Sequence, residues 1–172
     1  SHTLTGDFWY QQSDTEGVEG DDKAYSLQTQ ISTSGTGLGG RLRYSYLGDK
    51  FDPALGFANR TGVEQLTGFV NWRYFLRDHP LIRNNFGFFS FSRTNRNDTG
   101  ELQSENLFWR VISINTHSGD ALEFQVQQET EGLIVPFQIR PGIIIPAGEY
   151  SFNSFEIALS TTNQRDFSPD IS

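Results

Sequence analysis

The sequence predicts an all-β fold, an antiparallel up-and-down sheet of about eight strands with barrel-like character of the outer-membrane type. Three observations lead there. Several stretches alternate apolar and polar residues with a period of two, most cleanly Leu38 to Tyr46 and Ala121 to Gln128. Clusters of Gly, Asn, Asp and Pro separate these runs at short intervals. The most apolar stretch, Val135 to Leu159, is broken by Pro136, Pro141 and Pro146. Each proline removes a backbone donor and clashes with the preceding turn, so a helix is excluded there.

Taken in order, Leu4 to Gln12 reads as a strand with Leu4, Gly6, Phe8 and Tyr10 on one face and Thr5, Asp7, Trp9 and Gln11 on the other. An acidic loop, Ser13 to Asp22, leads to a second strand, Ala24 to Thr33, and the turn Ser34-Gly-Thr-Gly. Leu38 to Tyr46 then sets Leu38, Gly40, Leu42, Tyr44 and Tyr46 against Gly39, Arg41, Arg43 and Ser45. The loop from Gly48 to Gly62 carries KFDPALGFANR. A long strand of β-forming residues, Val63 to Leu76, follows it. Asn85 to Thr94 and Leu102 to Asn115 are apolar on both faces, and the mid-strand position of Trp109 predicts a packed ring. After Ala121 to Gln128, the proline-rich stretch reads as a short apolar segment, a Pro-Gly turn, three isoleucines and a Pro-Ala-Gly turn. In the last strand, Tyr150 to Thr162, the apolar positions switch from Tyr150 and Phe152 to Phe155, Ile157 and Leu159, which predicts a β-bulge near Asn153. Long and short connections tend to alternate, as in outer-membrane barrels, although the turn at Asn95 is short where a long one is expected.

The 172 residues suffice for one domain. Hydrophobic content is 35%, yet there are 15 phenylalanines, so apolar surface is concentrated in large rings. No segment approaches the roughly 18 apolar residues of a membrane helix, but a membrane β-barrel is just as polar on average. The absence of cysteine removes disulfides, thiolate zinc sites and cysteine nucleophiles, and suits an exported bacterial protein as it does many others. Methionine is also absent, and Ser1-His2 resembles the remnant of a cleaved tag. A net charge of −8 argues against nucleic acid as a partner.

Two pieces, Lys50 to Arg60 (KFDPALGFANR) and Phe137 to Tyr150 (FQIRPGIIIPAGEY) running on to Ser160–Arg165, resemble motifs of a bacterial family of unknown function. Members of that family carry an N-terminal carbohydrate-binding-like domain of family 9 type, followed by a large barrel-like region. The resemblance covers most of the chain, from about Tyr44 to Arg165, and its motifs are structural glycines, prolines and aromatics. It marks Phe51, Pro53, Gly56, Phe57, Arg60, Gly142, Pro146, Gly148 and Tyr150 as structural positions. It also implies an exported protein of the outer membrane. Residues 1–172 are then a single all-β domain, an internal segment of a longer barrel.

Candidate sites are few. Asp14, Glu16, Asp21 and Asp22 supply carboxylates for a calcium ion, though their spacing is not that of an EF-hand and acidic surface loops are usually just solvated. Arg41, Arg43 and Arg73 would line a lumen and favour anions or sugars, or would pair with acidic residues across an exposed polar face. Trp72 and Tyr44 join them as ligand-binding aromatics, while Tyr44, Tyr46, Tyr74 and Phe75, near strand ends, also fit an interfacial girdle. No Ser-His-Asp set, nucleophile elbow, metal-ligand histidine pair or phosphate-binding glycine loop is present, so no catalytic residue and no cofactor is expected. The expectation is a non-enzymatic, structural or transport-like barrel segment in the bacterial outer membrane. Its expected partners are outer-membrane lipid and, as a further class, glycan. The alternatives are a soluble carbohydrate-binding β-sandwich, periplasmic or secreted, and a non-catalytic part of a glycan-acting enzyme.

Overall fold

A computed structural model describes residues 2–13, 19–52, 60–162 and 170–171. Eight long strands make one antiparallel sheet: β1 (His2–Gln12), β2 (Lys23–Thr33), β3 (Gly37–Leu47), β4 (Val63–Phe75), β5 (Ile82–Arg96), β6 (Leu102–Thr116), β7 (Ala121–Leu133) and β10 (Gly148–Ser160). β8 (Phe137–Arg140) and β9 (Ile143–Ile145) form a separate hairpin within the connection from β7 to β10. A short β11 (Asp170–Ile171) pairs with Ser160 and Leu159 of β10. The strands lie side by side in chain order, so the fold is an up-and-down meander, and the sheet is not closed into a barrel. Among the described residues no second sheet packs on it, and the sandwich alternative is not realised.

The connections are sorted by end. Residues 13–22, 48–62 and 134–147 join strands at one end, together with the tighter turn 97–101; 34–36, 76–81 and 117–120 turn at the other. The proline-rich stretch behaves as its chemistry dictates, turning at Pro141-Gly142, where Gly142 has φ 84°. Gln138 and Ile144 pair across that turn.

Two expectations are corrected. β10 pairs with β7 without interruption from Gly148 to Ser160, so Asn153 is not a bulge. Tyr150 and Phe152 occupy the opposite face from Phe155, Ile157 and Leu159. The register slips elsewhere, between Ile82 and Asn84 in β5 and between Arg110 and Ile112 in β6, with a third irregularity at Thr94 to Asn95. Trp109 is not packed away but 46% exposed.

Among the described residues a conventional core is missing: the buried apolar side chains are Ala24, Phe51 and Val63. The surface is 12086 Å² for a 19.5 kDa chain, against about 8,500 Å² for a folded soluble monomer of that mass. An excess of that size is what a single sheet presents when nothing covers either face.

Candidate functional site: the two faces of the sheet

Residues directly opposite one another in neighbouring strands share a face, so the register separates the two sides of the sheet. On one face the row Leu4, Ile31, Gly40, Val70, Phe89, Trp109, Val126 and Phe155 crosses all eight long strands and holds no polar side chain. Leu66, Trp72, Tyr74, Leu107, Ile112, Ile114, Leu122, Ile157 and Leu159 extend the same face. Most of these rings and branches are open, up to 78% exposed at Phe155. Two glycines on this face are covered by rings from the neighbouring strand: a Cβ at Gly87 would overlap the indole of Trp72, and one at Gly68 would press on Phe91.

The apolar band is diagonal. Two rows toward the long-loop end, Phe8, Leu27, Tyr44 and Leu66 are followed by Arg93, Glu105, Thr130 and Ser151. Toward the short turns the pattern reverses, and Tyr74 and Asn85 give way to Ile114, Leu122 and Leu159. Strands tilted against a fixed horizontal slab produce such a stagger. Along β4 the band runs from Leu66 to Tyr74, about 26 Å at about 3.3 Å per residue. Tilted by about 40°, that is close to 20 Å of thickness, near the apolar band of about 25 Å on membrane barrels.

Tyrosines bound the band on the long-loop side with their hydroxyls turned outward. Tyr44 donates to Glu64 (2.9 Å), Tyr46 to Asp21 (2.6 Å) and Tyr10 to Gln12 (3.2 Å). Tyr25 stacks on Tyr46 with ring centroids 5.0 Å apart. The ion pair Arg93–Glu105 (3.0 Å) lies just outside this border. An apolar ring body with a wet hydroxyl tip suits a water–hydrocarbon boundary. Trp72 and Tyr74 mark the other border on β4. Phe75, expected beside them, is one residue on and faces the other side.

The opposite face is hydrogen-bonded. Arg43 donates to Ser26 (2.9 Å), Gln65 to Thr94 (3.2 Å), Asn106 to Glu129 (3.2 Å) and Gln125 to Glu156 (2.8 Å). Across its centre runs a strip of phenylalanines. Phe88 has Phe69 at 5.8 Å, Phe108 at 5.9 Å and Phe86 at 6.5 Å between ring centroids. Arginines rest on these rings: Arg41 on Phe69 and Arg73 on Phe86, both 5.2 Å from the centroid, and Arg110 on Phe108 at 5.9 Å.

The expected ligand-binding set therefore divides. Arg41, Arg43 and Arg73 share the polar face, whereas Trp72 and Tyr44 lie on the apolar one and cannot contact the same small ligand. Of the calcium set, Asp14 and Glu16 lie outside the described residues. Asp21 accepts from Tyr46 and from the Lys23 amide, and Asp22 accepts from Gln12. No group of three potential metal ligands occurs among the described residues. Of the structural positions, Pro53, Gly56 and Phe57 also lie outside them. Phe51 is buried, Arg60 donates to Ser104 (3.2 Å), and the Tyr150 hydroxyl donates to the Pro146 carbonyl (3.0 Å). His79 and His117 hold turns together: His79 Nδ1 accepts the amides of Leu81 and Ile82, and His117 Nε2 meets the His79 carbonyl at 3.0 Å.

Sequence reasoning missed the phenylalanine strip and the place of Arg110 on it. The signal for the strip was parity, since Phe86 and Phe88 alternate with Gly87 and Phe89 in step with Ser90 and Ser92. Comparison with protein-family models, with curated proteins and with solved structures finds no match to this chain.

Proposed function

We propose that this chain supplies eight consecutive strands to the wall of an outer-membrane-type β-barrel in an exported bacterial protein. Its role is structural or transport-like and non-enzymatic, with the apolar face toward lipid and the polar face toward a water-filled lumen. The observation that carries the reading is the diagonal apolar band, bordered by tyrosines and left uncovered by any other layer of the described chain. Each of the eight strands has between 11 and 15 residues, against about 9–11 needed to cross a bilayer. The three longest connections, 13–22, 48–62 and 134–147, all lie at one end, which the short turn 97–101 shares. Among the described residues, the outer edge of β1 and that of β10 beyond its short pairing with β11 leave backbone groups to be paired, as the wall of a larger barrel requires.

The test is folding with and without lipid. In detergent or vesicles the chain is expected to resist boiling-free electrophoresis as a compact, heat-modifiable species, and to aggregate in plain buffer. A monodisperse, detergent-free monomer with the same β-sheet circular dichroism would overturn the proposal, because its apolar band would then be covered by protein.

A further inference from the structure

The polar face has a hollow of about 500 Å³ near the short-turn end, between β4, β5, β6 and β7. Arg73, Arg83 and Arg110 converge on it, and Phe75 and Phe86 form part of its wall. Both bulges sit at its rim. In an unbroken β5, Arg83 would share a face with Asn85, but the slip between Ile82 and Asn84 sends it into the hollow. In β6 the slip between Arg110 and Ile112 puts Arg110 and Ser113 on the same side, although they stand an odd three positions apart in sequence. Bulges re-aim single side chains in this way, and they are common beside binding sites.

The charges do not balance. Glu123 is the one carboxylate among the residues lining the hollow, 3.7 Å from Arg110 Nε and already accepting from Ser113 (3.0 Å). Arg110 Nε is buried and donates no hydrogen bond. Among the described residues neither Arg73 nor Arg83 has a carboxylate within ion-pair distance. Three guanidinium groups thus face one carboxylate in a chain whose net charge is −8.

We propose that this hollow is a binding site for a small organic oxyanion, a carboxylate or phosphate carried on an apolar body. Guanidinium forks match the two oxygens of such a group, and the phenylalanine rings offer a wall for the body. The volume falls within the range of small-molecule sites and exceeds what a bare inorganic ion fills. The site's part in passage through a lumen rests on the function proposed above; binding itself does not.

Benzoate is the probe, with benzyl alcohol as its neutral counterpart and inorganic phosphate to test the oxyanion alone. Binding is followed by isothermal titration of the full chain in detergent at fixed ionic strength. Benzoate is expected to bind, phosphate to bind more weakly, and benzyl alcohol not to bind. Arg83→Gln and Arg110→Gln should each weaken benzoate about tenfold or more, because each removes a charge-assisted partner. Arg93→Gln, on the other face, should leave it unchanged. Arg83 is at an exposed bulge, so its variant carries the test if Arg110→Gln fails to fold. Equal binding of benzyl alcohol, no binding of benzoate, or benzoate affinity unchanged in Arg83→Gln would each overturn the site. A chain that binds benzoate yet stays a monodisperse monomer in detergent-free buffer would overturn the barrel reading and keep the site.

Discussion

Val70 lies at the middle of the apolar stretch of β4, between Leu66 and Tyr74, and is 42% exposed. Fully burying a valine side chain is worth about 2 kcal/mol, so the exposed part offers lipid about 0.8 kcal/mol. Placing an arginine at the middle of a barrel's lipid face costs a further ~2–4 kcal/mol. Val70→Arg is therefore expected to destabilise the chain in lipid by about 3–5 kcal/mol. Ser92→Arg, on the polar face opposite Thr67 and Asn106, is expected to change stability by less than about 0.5 kcal/mol. Denaturant unfolding in vesicles, followed by tryptophan fluorescence, measures both. If the two arginines cost the same, the faces do not differ in their surroundings. If Val70→Arg is neutral and raises yield in detergent-free buffer, the band faces water and the membrane reading fails.

Gly87→Ala should cost about 1–3 kcal/mol by pushing the Trp72 indole off its seat, and a Trp72→Leu background should remove most of that cost in a double-mutant cycle. Gly142→Val, at φ 84°, should strain the β8–β9 turn by about 1–2 kcal/mol. Proteolysis within 134–147 should rise while the unfolding midpoint of the large sheet holds; loss of the whole fold would contradict this. Asn97→Ala removes a 2.8 Å hydrogen bond to the Leu47 carbonyl, and should lower stability in chemical unfolding by about 1–3 kcal/mol. With single-tryptophan chains in vesicles, bromine on the lipid tails should quench Trp109 strongly, whereas aqueous iodide should reach Trp9 on the opposite face. Equal quenching of the two would mean that the sheet does not separate lipid from water.

Where alternation is unbroken, as in β3 and the first half of β7, sequence and structure agree residue by residue. Period-two patterning reports which face each side chain occupies without knowing what covers it. The same pattern fails at a bulge, because one inserted residue reverses parity and nothing in the local residue types marks it. That is why Arg83 and the Arg110–Ser113 pair were not legible. The misplaced bulge at Asn153 has the opposite origin. Tyr150 and Phe152 invited assignment to the apolar face, but the band has shifted toward the short turns by β10, and the first half of that strand has no apolar face to fill. Trp109 was read as buried because a mid-strand indole in a layered protein usually is. In a sheet without a covering layer, the same position is the most open.

Every long strand pairs only with its neighbour in the chain, and even the β8–β9 excursion returns to the strand beside the one it left. Such a wall can gain or lose a hairpin at almost any point without rethreading. Removing β4 and β5 together, for example, would bring β3 beside β6 with its direction, facing and loop side preserved. Removing one strand alone would invert everything after it. On the barrel reading proposed above, duplication and loss should therefore occur in pairs of strands, with circumference as the trait that varies.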